Sequence, residues 1–118
     1  VILLSPETTK IDINASIEAG VTIFGNNVIK GKTIIETNSQ LKENNVICDS
    51  VIKNNVIIAN SHINNSFIEE NCEVSPFCII ENNSLLEKGV KVNRFCKISK
   101  AVIKSGAIVE SFSNIIGE

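Results

Sequence analysis

Val21-Thr22-Ile23-Phe24-Gly25-Asn26-Asn27-Val28-Ile29-Lys30-Gly31-Lys32-Thr33-Ile34-Ile35 puts a large aliphatic residue at every sixth position, Ile23, Ile29 and Ile35. Two residues before each stands a smaller one: Val21, Asn27 and Thr33. Outward from this stretch the beat runs back through Ile17 and Ile11. Forward, it continues through Leu41, Ile47, Ile52, Ile58, Ile63, Ile68, Val74, Ile80, Leu86, Val92, Ile98, Ile103 and Val109 to Ile115. Four steps shorten to five, from 47 to 52, 58 to 63, 63 to 68 and 98 to 103. A six-residue period is neither the 3.6 of a helix nor the plain alternation of a strand. So short a repeat cannot bury its own apolar face, so it must form one side of a coil stacked on similar coils.

Within each side, residues i−2 and i point one way and i−1 the other, as in any short strand. The inward pair is thus one large aliphatic and one small residue. Position i+3 is often Asn or Gly (Asn14, Gly20, Asn26, Asn38, Asn44, Asn55, Asn71, Asn83, Gly89, Gly106), the types that accept left-handed backbone at a corner. Three sides close a triangular coil of about eighteen residues. The pattern predicts an all-β, left-handed parallel β-helix of about six coils over 11–118, with a lead-in over 1–10.

The composition agrees. Ile and Val supply 32 residues and Asn 16, which disfavours helix through stiff χ1 torsions and side-chain competition for the backbone. Five Phe with no Trp or Tyr suit a narrow aliphatic core. A net charge of −2 with interleaved signs excludes the basic face a nucleic acid needs. No apolar run is long enough for a membrane span and no leader is visible, so the cytoplasm is expected. Met is absent even at position 1, which predicts a piece of a longer chain.

Sorted by side, the outward residues differ. One face reads Ser16, Ile34, Val51, Phe67, Leu85, Val102; a second Thr22, Gln40, Ile57, Glu73, Lys91, Ile108; the third Lys10, Val28, Val46, His62, Ile79, Lys97, Asn114. Only the first is a continuous apolar stripe, and such stripes mark interfaces. Self-association through Ile34, Val51, Phe67, Leu85 and Val102 is expected, as a threefold homotrimer with parallel axes.

Chemistry is sparse. Cys72, Cys78 and Cys96 fall in the small inward column, where a thiol is apolar filler; Cys48 completes a set with no paired metal-ligand spacing. Stacked Cys78 and Cys96 could approach disulfide range, but a cytoplasmic setting opposes one. His62 is the only histidine and lacks the companions of a metal site. Phe77, Phe95 and Phe112 share one corner and predict an aromatic ladder. The sequons at Asn14, Asn64 and Asn82 are what an Asn-rich chain yields by chance.

Several stretches resemble one family. Ser5-Pro6-Glu7-Thr8-Thr9-Lys10-Ile11-Asp12 is similar to the DPxTTxID start of the β-helix in the bifunctional bacterial N-acetylglucosamine-1-phosphate uridyltransferase / glucosamine-1-phosphate acetyltransferase. Ser75-Pro76-Phe77 resembles its GPF, and Val92-Asn93-Arg94-Phe95-Cys96-Lys97-Ile98 its IGNFVEV. Ile98-Ser99-Lys100-Ala101-Val102-Ile103 falls at its VKKSxI, and Ile116-Gly117-Glu118 at its YIGDAEIG. The resemblance implies trimers, synthesis of UDP-N-acetylglucosamine for the cell wall, and acetyl transfer between subunits. A His base would serve the attacking amine, with Arg, Lys and Tyr around a sugar phosphate. Those positions fall here on Ser111 (His), Glu81 (Arg), Ser99 (Lys) and Asn114 (Tyr); a one-residue slip moves the first and last to Phe112 and Ile115. No catalytic, cofactor or metal residue is therefore expected in this segment. Acetyl-CoA and Mg are implied only for the complete enzyme, whose nucleotidyltransferase domain would precede Val1 and whose acetyl-CoA coils would follow Glu118.

The leading expectation is a trimerisation module of a sugar-1-phosphate nucleotidyltransferase of the UDP-N-acetylglucosamine pathway, with the acetyl-transfer site absent or degenerate in this segment. One alternative is an active acetyl-CoA-dependent acetyltransferase, drawing a base from Glu110, His62 or a neighbouring subunit. The other is a stand-alone structural β-helix.

Overall fold

A computed structural model describes Val1–Gly117, and Glu118, the last residue of the motif at the chain's end, lies outside the described residues. Every position of the hexad beat lies in a strand of two or three residues, and all strand pairing is parallel. The strands stack into three sheets. The first runs in seven strands from Ile2–Leu3 through Thr22–Ile23 to Ile108–Val109, and the second in seven from Lys10–Ile11 to Asn114–Ile116. The third has six strands, from Ser16–Ile17 to Val102–Ile103. The result is the three-sided parallel β-helix expected from the hexad. Its long axis of 37 Å, against 21 and 20 Å across, suits about seven coils at about 4.8 Å each.

The count is thus closer to seven than to the expected six. Ile2–Leu3 already pairs with Thr22–Ile23, so the lead-in contributes a strand of its own. A short 3-10 turn over Pro6–Thr8 separates that strand from Lys10–Ile11, and this insertion puts Leu3 out of step with the beat.

The core is the aliphatic column. Ile23, Ile29, Ile35, Leu41, Ile47, Ile52, Ile58, Ile63, Ile68, Ile80, Leu86 and Ile98 are all essentially inaccessible. Ile11 is 39% exposed because only one coil covers it. Complete burial of an Ile or Leu stabilises by about 1.5–3 kcal/mol, so the middle coils carry most of the hydrophobic stabilisation.

Corners follow two rules. Where the step is six, the left-handed residue usually sits at i+3, as at Asn26 (φ 58°), Asn38 (64°), Asn44 (65°), Asn55 (56°), Asn71 (64°) and Gly89 (72°). Where the step is five it moves to i+2, at Asp49, Asn60, Asn65 and Lys100. Asn14 departs from the expected pattern and keeps a negative φ. There the Asp12 carboxylate does the work instead, accepting the backbone N–H of Asn14 at 2.9 Å and of Gly31 on the next coil at 3.2 Å.

Candidate functional site

The third sheet aligns the expected stripe in register. Ile34 pairs with Val51, Val51 with Phe67, Phe67 with Leu85, and Leu85 with Val102. Ile34, Phe67 and Val102 are exposed, the last by 52%, while Val51 and Leu85 are half-buried. The middle of the row forms one wall of a shallow groove of about 500 Å³, whose rim carries Asp49, Asn65, Glu69 and Asn83. Lys53 edges the row: its Nζ lies 3.1 Å from Glu36 Oε2 and 5.8 Å from the centroid of the Phe67 ring. The other two faces break their apolar character with charge. Glu73 pairs with Lys91 at 3.6 Å on the first sheet, and Lys97 with Glu81 at 3.8 Å on the second.

The residues that the motif resemblance sets at the acetyl-transfer positions lie on and beside the second sheet. Glu81 and Ser99 are register partners on adjacent coils. Asn114 pairs with Lys97 and Ile115 with Ile98. Asn114 thus points outward in the row of Lys97, and Ile115 points inward in the column of Ile98. Ser111 is exposed at the corner between the first and second sheets. Ser99 is buried and its Oγ accepts a hydrogen bond from Asn82 Nδ2 at 2.9 Å. A buried serine, a carboxylate and an amide do not fit a sugar phosphate, which needs cationic donors. Lys97, the lysine paired in register between Ile79 and Asn114, is engaged by Glu81. Lys100 stands at the corner, φ 56°, beside Asn65, Asn82 and Asn83. Among the described residues no three His, Cys, Asp or Glu side chains are placed to hold a metal ion.

The inward cysteines lie where the column predicts, and all four thiols are free. Burial pushes the Cys72 thiol up to about 11 and raises Cys78 in the same sense, so neither is a nucleophile at neutral pH. Phe77, Phe95 and Phe112 form the expected ladder, with ring centroids 5.1 Å apart at both steps and planes within 13° and 5°. All three adopt left-handed backbone (φ 67°, 61° and 65°), which costs a bulky L-residue about 1–2 kcal/mol.

Sequence reasoning took the small column for spacers and missed its hydrogen bonding. At the corner entering the second sheet, Asn27 Nδ2 donates to Phe24 O and Lys42 O. On the next coil Asn45 Nδ2 donates to Asn27 Oδ1 at 3.0 Å, and Asn45 Oδ1 accepts the Ser61 N–H at 2.9 Å. Ser61 Oγ then accepts the Cys78 N–H, and the Cys78 and Cys96 thiols donate to Asn93 O and Glu110 O. A second ladder of Thr33, Ser50 and Ser66 climbs the corner entering the third sheet. Among the described residues no buried side-chain nitrogen or oxygen lacks a partner. The signal was present in the sequence: the column holds Asn, Ser, Thr and Cys where Ala would fill the same space.

This repeat, the three sheets and the triangular section define a hexapeptide-repeat β-helix protein. Its coils superpose on the acetyltransferase domain of PglB from Neisseria gonorrhoeae FA1090 in complex with acetyl coenzyme A, with a TM-score of 0.87 and 15% identity over 93% of this chain and 54% of that one. At that identity the likeness is one of fold. In sequence, residues 31–118 match the family described as GlmU-like, C-terminal hexapeptide, and the chain belongs to that family. It is 34% identical over 115 residues to the bifunctional protein GlmU of Clostridium novyi (strain NT), covering 98% of this chain and 25% of that protein. To the protein of the same name from Streptococcus suis (strain 98HAH33) it is 36% identical over 106 residues, covering 90% and 23%. The chain thus spans about a quarter of the length of these relatives. No helix among the described residues is long and apolar enough to cross a membrane.

Proposed function

We propose that this chain is the trimerisation module of a cytoplasmic sugar-1-phosphate nucleotidyltransferase of the UDP-N-acetylglucosamine pathway, and that acetyl transfer is not carried out by this segment. The observation that carries the reading is the pairing of an intact stripe with an unsuited site. Ile34, Val51, Phe67, Leu85 and Val102 form one apolar row, whereas Glu81, Ser99, Ser111 and Asn114 include no histidine and no cation for a sugar phosphate. A β-helix can keep its scaffold role after losing a site, because stacking needs only the inward columns. Partner copies of this chain cover the row around a threefold axis, and an N-terminal nucleotidyltransferase domain supplies the chemistry. Any acetyl-CoA or Mg requirement belongs to the complete protein.

Burying the five stripe residues contributes at most about 1.5–3 kcal/mol each, before association costs. The test is sedimentation of the wild type beside the double variant Val51→Asp, Leu85→Asp. The wild type is expected as a trimer and the variant as a folded monomer. A variant that sediments like the wild type, or a monomeric wild type at high protein concentration, overturns the interface. Acetyl transfer from acetyl-CoA to glucosamine 1-phosphate by this chain would overturn the assignment of a lost site.

A further inference from the structure

The aromatic ladder ends abruptly. Phe95 has a ring on each face, but Phe77 has one on a single face only. One coil before Phe77 the same column holds Asn60, whose carbonyl accepts the Phe77 N–H at 2.8 Å. Asn60 also sits in one of the shortened corners, the step from Ile58 to Ile63. A small residue in a corner one residue short leaves a notch where a further ring of the ladder would lie. The notch measures about 270 Å³ and is lined by Asn60, His62, Phe77, Cys78 and Ile79.

Its walls suit one kind of guest. The floor is the open face of Phe77, and Ile79, 41% exposed, forms an apolar side. Asn60 and His62 bring an amide and an imidazole, and among the described residues no hydrogen bond within the protein engages either side chain. An apolar planar floor with a few convergent polar groups is the usual make-up of a small-molecule site, and the volume lies just below the usual range of about 300–1,000 Å³. It suits a single ring system. Along the outward row the neighbouring charged side chain, Lys97, is held by Glu81 at 3.8 Å, so nothing there favours an anionic tail. In cross-section this corner joins the first and second sheets and lies opposite the third. The notch is a feature of the single chain and stands whether or not subunits pack on the stripe.

We propose that the notch below Phe77 binds a planar, neutral nitrogen heterocycle, which stacks on Phe77 as a further rung of the ladder and hydrogen-bonds through its edge to Asn60 and His62. Because His62 is the sole histidine, its imidazole proton resonances report on the site without assignment work. Titration with adenine is expected to shift them saturably, and cyclohexanol at the same concentrations is expected not to. Loss of the stacking face in Phe77→Leu should weaken binding by about tenfold, whereas Phe112→Leu, two coils away, should not change it. If Phe77→Leu unfolds, Asn60→Phe decides: its own ring occupies the notch and abolishes the adenine response with the fold intact. Absence of saturable shifts up to about 5 mM adenine, or an undiminished response in folded Phe77→Leu or Asn60→Phe, overturns the site.

Discussion

Replacing Asn45 by Leu tests how much of the fold rests on its polar spine. The Asn45 side chain is completely buried and makes four side-chain bonds. Nδ2 donates to Asn27 Oδ1 (3.0 Å), Lys42 O (2.9 Å) and Ile58 O (3.2 Å), and Oδ1 accepts from Ser61 N (2.9 Å). Three of the four partners keep another bond when the amide goes. Lys42 O still accepts from Asn27 Nδ2 at 2.8 Å, Ile58 O from Lys42 N at 2.7 Å, and Asn27 Oδ1 from Asn45 N at 3.2 Å. Ser61 N–H alone is left with no acceptor in a dry interior. That orphan costs about 1–3 kcal/mol, and each other lost bond adds a few tenths to about 1 kcal/mol. The extra apolar surface of Leu returns about 1 kcal/mol. The net expectation is a loss of about 2–3 kcal/mol, a large share of the 5–15 kcal/mol typical of a domain. Urea denaturation followed by far-UV circular dichroism measures it, and exchange of the Ser61 amide locates it. Coils in such an array contact only their neighbours, so Ser61 exchange should accelerate more than that of Ser99. Asn45→Ser should recover much of the loss, since Ser61 already fills that role one coil on, accepting from Cys78 N and donating to Ser75 O at 3.0 Å. A folded Asn45→Leu protein within about 0.5 kcal/mol of wild type, its Ser61 amide still protected, would refute the reasoning.

Phe95→Asn and Phe112→Asn should differ in melting temperature. Both relieve left-handed strain of about 1–2 kcal/mol, but Phe95 loses two ring contacts and Phe112 one, each contact contributing about 0.5–1.5 kcal/mol. Strain relief is common to both, so Phe95→Asn is expected to be less stable than Phe112→Asn by one ring contact, about 0.5–1.5 kcal/mol; the reverse order in thermal melts refutes the balance. The Cys72 thiol is raised to about 11 by burial, above its value in the unfolded chain. Its contribution is therefore complete below about pH 8.5 and is lost as pH rises through about 11. Urea midpoints should fall over that window and fall less in Cys72→Ser. The carboxyl of Asp12 is lowered by the N–H groups of Asn14 and Gly31, so its contribution is present above about pH 3.9 and disappears as pH falls further. Asp12→Asn should flatten that acid limb, and an unchanged limb would show that the corner does not need the charge.

The inward aliphatic column was legible because a six-residue period has one structural reading, and Ile23 to Ile98 are buried as the beat demands. What escaped the sequence reading lies mainly at the corners. Asn27, Asn45 and Ser61 look like small fillers in a list, and only stacking shows that each side chain serves the backbone of a neighbouring coil. Ile2–Leu3 lay outside the beat because the turn at Pro6–Thr8 intervenes. For the site, the spacing of eighteen between Glu81 and Ser99 already implied adjacent coils, and they are register partners. Motif matching left the family's Tyr position open between Asn114 and Ile115; the fold adds only that the first is outward and the second inward. The shortened step at Asn60 was visible in the sequence, but the notch it leaves beside the Phe77 ring shows only once the coils are stacked.

The two corner geometries also bear on how such a chain can change length. Sides of five and of six residues end in the same place, at most corners through a residue of positive φ, at the second position in Asp49, Asn60, Asn65 and Lys100 or at the third in Asn44 and Asn71. Deleting one corner residue therefore leaves every sheet in register, whereas in a pleated strand the same deletion would turn the inward face outward. Insertions and deletions can accumulate at the vertices of this prism while the core is inherited unaltered. Homologues should therefore be compared coil by coil, because counting residues along the chain loses phase wherever a corner has gained or lost one.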